Sequence, residues 1–160
     1  MHQKNNHTKT YARANISYQK PYHAFTPKRP VRSFRDLDVY TKTLEYAIDV
    51  TNKFFIPRAF EKFPLREQMT HGALAIPLLI AEAHSMRFGD HTLAIQLLEK
   101  AMAGCNKTIV YLETLRGMYG AKADNDAIEG LVQGYIGIRG KIFRLEKAWQ
   151  KWDTERESHK

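Results

Sequence analysis

The sequence predicts an all-α fold: an up-down-up-down four-helix bundle behind a basic N-terminal arm. Three observations carry it. Apolar residues recur at spacings of three and four through four successive segments, short Pro, Gly and Asp clusters separate those segments, and no stretch alternates apolar and polar residues as a half-buried strand would. At 160 residues the chain has the size of one domain with an appendage.

Residues 1 to 32 hold no sustained period, and Pro21, Pro27 and Pro30 interrupt any helix, so this segment reads as a disordered arm and residues 33–160 as the bundle. The arm carries Lys4, Lys9, Arg13, Lys20, Lys28, Arg29 and Arg32 and no Asp or Glu, which is +7 of the chain's net +8. Tyr11, Tyr18, Tyr22 and Phe25 lie between the charges. Such an arm can neutralise phosphates and stack on unpaired bases; the plainer reading is a flexible leader without a specific partner.

Helix one is predicted from Leu37, Tyr40, Leu44, Ala47, Ile48, Thr51, Phe54 and Phe55, and it stops before Pro57. Helix two follows Pro64, a first-turn residue, with Leu65, Met69, Ala73, Ile76, Ile80 and Ala83 on one face. Pro77 sits inside it, although an interior proline removes a backbone donor and costs about 3 kcal/mol. Gly89 and Asp90 offer a turn and an N-cap, because the carboxylate can accept unpaired amide hydrogens of the next helix. Helix three carries Ala94, Leu97, Leu98, Ala101, Cys105, Thr108, Leu112, Leu115 and Tyr119 and ends at Gly120. Asp124 caps helix four, whose seam Ile128, Leu131, Tyr135, Ile138, Ile142, Leu145, Trp149 and Trp152 steps alternately by three and four. That regularity calls for shallow, near-antiparallel crossings.

A second apolar set lies beside the main faces: Val132, Ile136 and Phe143 on helix four, and Leu74, Leu78 and Leu79 on helix two. Widened faces predict a subunit interface, here Leu74, Pro77, Leu78, Val132, Ile136 and Phe143, with an irregular monomeric core as the alternative. Gly130, Gly134, Gly137 and Gly140 each cost about 1 kcal/mol in a helix, which close approach by a neighbour would offset.

The search for chemistry returns little. His2, His7, His23, His71, His84, His91 and His159 form no metal-binding spacing, no phosphate loop or nucleophile elbow occurs, and neither enzyme activity, metal nor cofactor is expected. Glu82, inside "LLIAEAHS", is either a structural hydrogen-bonding residue or a general acid/base, and without converging partners the structural role is preferred. The lone Cys105 reads as a buried filler and, with no apolar leader, points to a reducing cytoplasm. The longest apolar run, Ala73 to Ala81, falls well short of the ~20 residues of a membrane span. Helix four also bears Arg139, Lys141, Arg144, Lys147 and Lys151 around the single acid Glu146. This is a solvated face in one chain, or a phosphate-binding field when repeated around a ring of subunits.

"SFRDLDVY" at the start of helix one, "FP" before helix two, "AIPLLIAEA" with its internal proline and a long helix three rich in small residues together resemble a known family. It is the four-helix-bundle family of proteins encoded by intervening sequences of bacterial large-subunit rRNA genes, with the related accessory variability determinant of diversity-generating retroelements. The likeness covers roughly Ser33 to Trp152 and leaves the arm outside. It implies a homopentameric barrel of bundles and, in the retroelement branch, RNA or DNA binding through a basic surface and association with a reverse transcriptase. Where the rRNA-linked pattern has a basic pair before "SIPSNIAEG", this chain has Thr70 and His71, then Leu78 and Leu79 for Ser-Asn and Ala83 for Gly, which leans towards the retroelement branch. The alternatives are a ribosome-linked protein of the rRNA branch or a purely structural interaction module.

Overall fold

The computed structural model describes residues 31–158. Four helices, α1 (Asp38–Val50), α2 (Arg66–Met86), α3 (His91–Tyr119) and α4 (Asn125–Ser158), make up most of it, with no strand among the described residues. Each helix packs on its neighbours in sequence and α4 closes back on α1, whereas the diagonal pairs hardly meet. That connectivity is the expected up-down-up-down bundle. No helix among the described residues is long and apolar enough to cross a membrane. The basic residues from Lys4 to Arg29 lie outside the described residues.

The bundle begins with a local hydrogen-bonding motif at Ser33. The Ser33 hydroxyl accepts the Arg35 amide at 3.3 Å, and the Asp36 carboxylate accepts the amides of Ser33 and Arg32 at 2.9 Å each. These bonds form a capping box on the short turn Phe34–Asp36 and hold the Asp36 carboxyl below its ordinary range.

The buried face of α1 differs from the expected one. Val39, Thr43, Ala47 and Val50 are buried, Tyr40 and Leu44 are half-buried, and Ile48 is exposed. Thr43 can occupy the core because its hydroxyl donates to the Val39 carbonyl at 2.7 Å, leaving no unpaired polar atom. After Val50 the helix widens into a π segment, Thr51–Phe55, and Pro57 turns the chain into a short 3-10 helix, Arg58–Phe60. This connector buries Phe54, Phe60 and Phe63. Phe54 and Phe60 meet edge to face at 5.7 Å, and Tyr119 meets Phe60 at 5.2 Å and Phe63 at 6.3 Å, closing that end of the bundle.

Helix α2 runs unbroken through Pro77, which is fully in the core beside Ile76 and Ile80. Gly104 on α3 faces this stretch so closely that a Cβ there would lie 2.9 Å from Ile76 Cγ1. A helix lacking one internal hydrogen bond is therefore held by tight packing along the most extensive helix pair of the fold. Both expected acidic caps are present: Asp90 accepts the Leu93 amide and Asp124 the Ala127 amide, each at 2.9 Å. Gly120 ends α3 with φ 54°, a conformation that disfavours a side chain. Ile128, Leu131, Tyr135, Ile138 and Ile142 of the predicted α4 seam are buried, Leu145 and Trp149 are half-buried, and Trp152 emerges at the far end.

Candidate nucleic-acid interface

Helical geometry divides the basic residues of α4. Arg144, Lys147 and Lys151, spaced by three and four, share the outward line, whereas Arg139 and Lys141 lie on opposite flanks. Lys141 is paired with Asp38 of α1 at 2.5 Å. Lys147 reaches Glu146 at 3.3 Å and stands over the Phe143 ring at 5.1 Å, and Lys151 lies 3.8 Å from Glu155. Arg139 and Arg144 are exposed and make no ion pair among the described residues. Arg139 is near enough to Cys105 to oppose the burial that pushes its thiol up to about 12. That burial leaves the thiol inert at neutral pH.

The apolar residues expected at a subunit interface separate in the same way. Ile136 and Phe143 are about half exposed and Leu78 is 69% exposed. Leu74 is half-buried against the core. Val132 and Pro77 are buried within the single chain and leave little surface for a neighbouring subunit: Val132 is 4% exposed in the core cluster, and Pro77 lies on the buried face of α2. Gly134 answers to an approach within the chain, since a Cβ would lie 2.8 Å from Tyr46 Cζ. Gly130 and Gly137 face open space. Gly134, Gly137 and Gly140 line a shallow groove between α1 and α4 with Tyr46 and Ile136.

Glu82 is corrected as well. Along α2 it follows Leu78 by four residues on the outward line, is exposed rather than buried among the apolar residues, and makes no side-chain hydrogen bond among the described residues. The acid that is buried is Glu146, 4% exposed, whose carboxylate accepts from Lys147 at 3.3 Å and Gln150 at 3.2 Å.

A feature not anticipated from the sequence occupies the end of the bundle opposite the phenylalanine cluster. The turn between α2 and α3 meets the last turns of α4, and Arg87, Phe88, His91, Trp149 and Trp152 enclose a cavity of about 260 Å³. Phe88 and Trp152 meet edge to face at 5.4 Å. The Arg87 guanidinium covers Phe88 at 4.2 Å and that of Arg156 covers Trp152 at 5.2 Å. Arg87 also donates to the His84 carbonyl at 3.1 Å. The His84 imidazole beneath is 9% exposed and pushed below its ordinary pKa, by burial first and then by Arg87, with Asp36 opposing. The adjacent "RFGD" turn and the two tryptophans closing the α4 seam were the available signals, but only the fold brings them together.

No family model, no curated protein and no solved structure matches the chain.

Proposed function

We propose that this protein is a non-enzymatic, oligomeric accessory factor that binds the backbone of nucleic acid. The concentration of +7 in the first 32 residues supports this reading most directly, because such a segment pairs with phosphates regardless of sequence. The outward line Arg144, Lys147 and Lys151 extends the basic surface onto the folded body. Following the resemblance to the accessory variability determinant, the nucleic acid is RNA or DNA in the hands of a reverse transcriptase, the partner docks on the bundle, and the assembly is a homopentamer. Subunit contacts then fall on the exposed Ile136 and Phe143 and the open glycines Gly130 and Gly137.

Light scattering of the purified chain with a structured RNA tests this. A ring-sized oligomer should bind RNA at low salt and release it steeply as salt rises, since each neutralised phosphate frees a counterion. An affinity indifferent to salt, or a monomer indifferent to RNA, rejects it.

The half-exposed Ile136 and Phe143 beside uncovered glycines also favour a second reading, a protein-interaction module of the rRNA-linked kind in which the arm is incidental. In that case deleting residues 1–32 leaves every binding activity intact.

A further inference from the structure

We infer that the aromatic cavity at the α2–α3 turn is a stacking site for one unpaired base of a single-stranded nucleic acid, with Arg87, which lines it and makes no ion pair among the described residues, placed for a flanking phosphate. The inference rests on the nucleic-acid reading above and adds what the basic arm and α4 cannot supply, a preference for unpaired bases.

Composition comes first. Three of the five lining residues are aromatic, Phe88, Trp149 and Trp152, and two of these present large exposed surfaces, 59% for Phe88 and 44% for Trp152. Aromatic rings left in water at a concave site are what bases stack on, whatever the base, because every base has a π face. Size comes second. At about 260 Å³ the cavity is smaller than the ~300–1,000 Å³ typical of small-molecule pockets, which suits a single ring system rather than a whole cofactor.

Charge then decides between occupants. An aromatic cage can also take a cation, but here guanidinium groups already cover Phe88 and Trp152. A cationic ligand would be repelled, whereas a ligand carrying negative charge beside its ring is matched. Burial pushes the Arg87 pKa down, so a nearby anion would restore what that guanidinium loses in solvation. The polar wall also has hydrogen-bonding capacity to spare. His91 Nε2 stands 3.9 Å from Asp153 Oδ2, beyond hydrogen-bond reach, and His91 Nδ1 is buried without a hydrogen-bond partner, while Asp153 Oδ1 pairs with the Arg156 guanidinium at 3.2 Å.

The chain's only two tryptophans both line this cavity, so fluorescence excited beyond tyrosine absorption reports on it. Titrating the full chain with a single-stranded uridine oligonucleotide should quench that fluorescence, and a loop-free RNA duplex of equal charge should bind without quenching. Phe88→Ala should weaken single-strand binding about 5- to 100-fold, the usual loss of a stacking contact, and leave duplex binding unchanged. Phe88→Tyr should keep both. Phe88 is exposed, so circular dichroism should show both variants folded.

Salt-sensitive binding of both RNAs without quenching, or equal losses for both in Phe88→Ala, overturns the stacking site and leaves the backbone-binding reading standing. Failure to bind either RNA overturns both. Quenching by an acidic aromatic peptide but not by the oligonucleotide overturns the inference in favour of a protein partner.

Discussion

The two ends of the bundle use the same residue types to opposite effect. At one end Phe60 and Phe63 pack against Tyr119, Phe54 packs against Phe60, and the three phenylalanines are nearly excluded from water. At the other, Phe88, Trp149 and Trp152 stand around a cavity, with arginines on the faces of Phe88 and Trp152. Helix length makes the difference. The 34 residues of α4 extend about 51 Å against about 44 Å for the 29 of α3 on which it packs, so α4 is long enough to reach beyond the α2–α3 turn. The closed end holds a hydrophobic plug, and the open end holds partly exposed rings flanked by Arg87 and Arg156.

The largest test of that contrast is stability. Phe60→Ala should cost about 3–5 kcal/mol, as expected for a buried aromatic ring, whereas Phe88→Ala should cost less than about 1 kcal/mol in the same denaturant titration. Equal losses would erase the distinction between plug and pocket. Next, Gly104→Ala tests whether the middle of the bundle is as tight as its closed end. The added methyl must displace Ile76 beside Pro77, and about 1–3 kcal/mol of overpacking should outweigh the gain in helix propensity.

Gly137→Ala probes the outward face of α4 and should do the reverse in the single chain. Nothing lies within 4 Å of its Cβ position, so the monomer should gain about 1 kcal/mol in thermal or chemical unfolding. A loss of subunit association in light scattering, alongside that gain, would mark this face as the assembly contact.

The smallest expected effect is the pH response of the open end. His84 is held below its ordinary pKa in the fold, so the unfolded chain binds more protons as pH falls through the ordinary histidine range. Stability is therefore full above that range and declines on acidification, until the folded-state histidine also protonates. His84→Leu should flatten the response between pH 7 and 5 in urea titrations. An unchanged slope would move the sensitivity elsewhere.

Most of the bundle was legible from residue spacing. Asp90 and Asp124 cap the predicted helices because an acid just before an apolar period has amide hydrogens to accept, a purely local matter. The α4 seam was legible because seven-residue repetition leaves only one face to bury. Errors arose where linear neighbours were read as spatial ones. Glu82 lies among apolar residues in sequence yet two positions past Ile80, which turns it to the outside. Val132, beside the seam, is buried because α4 contacts two helices at once. Thr43 replaced the expected apolar neighbours on α1 because its hydroxyl finds a carbonyl in its own helix.

By itself the sequence determined the helices, the caps of α3 and α4, the helix order and the charge asymmetry, because each depends on residues within one or two helical turns or on simple counting. Tertiary structure decided which borderline side chains are covered, placing Pro77 and Val132 inside and leaving Ile136 and Phe143 out. It also brought Arg87 and Phe88 to Trp149 and Trp152 across some sixty residues of chain. Such a meeting depends on relative helix lengths and packing partners, which no local period encodes.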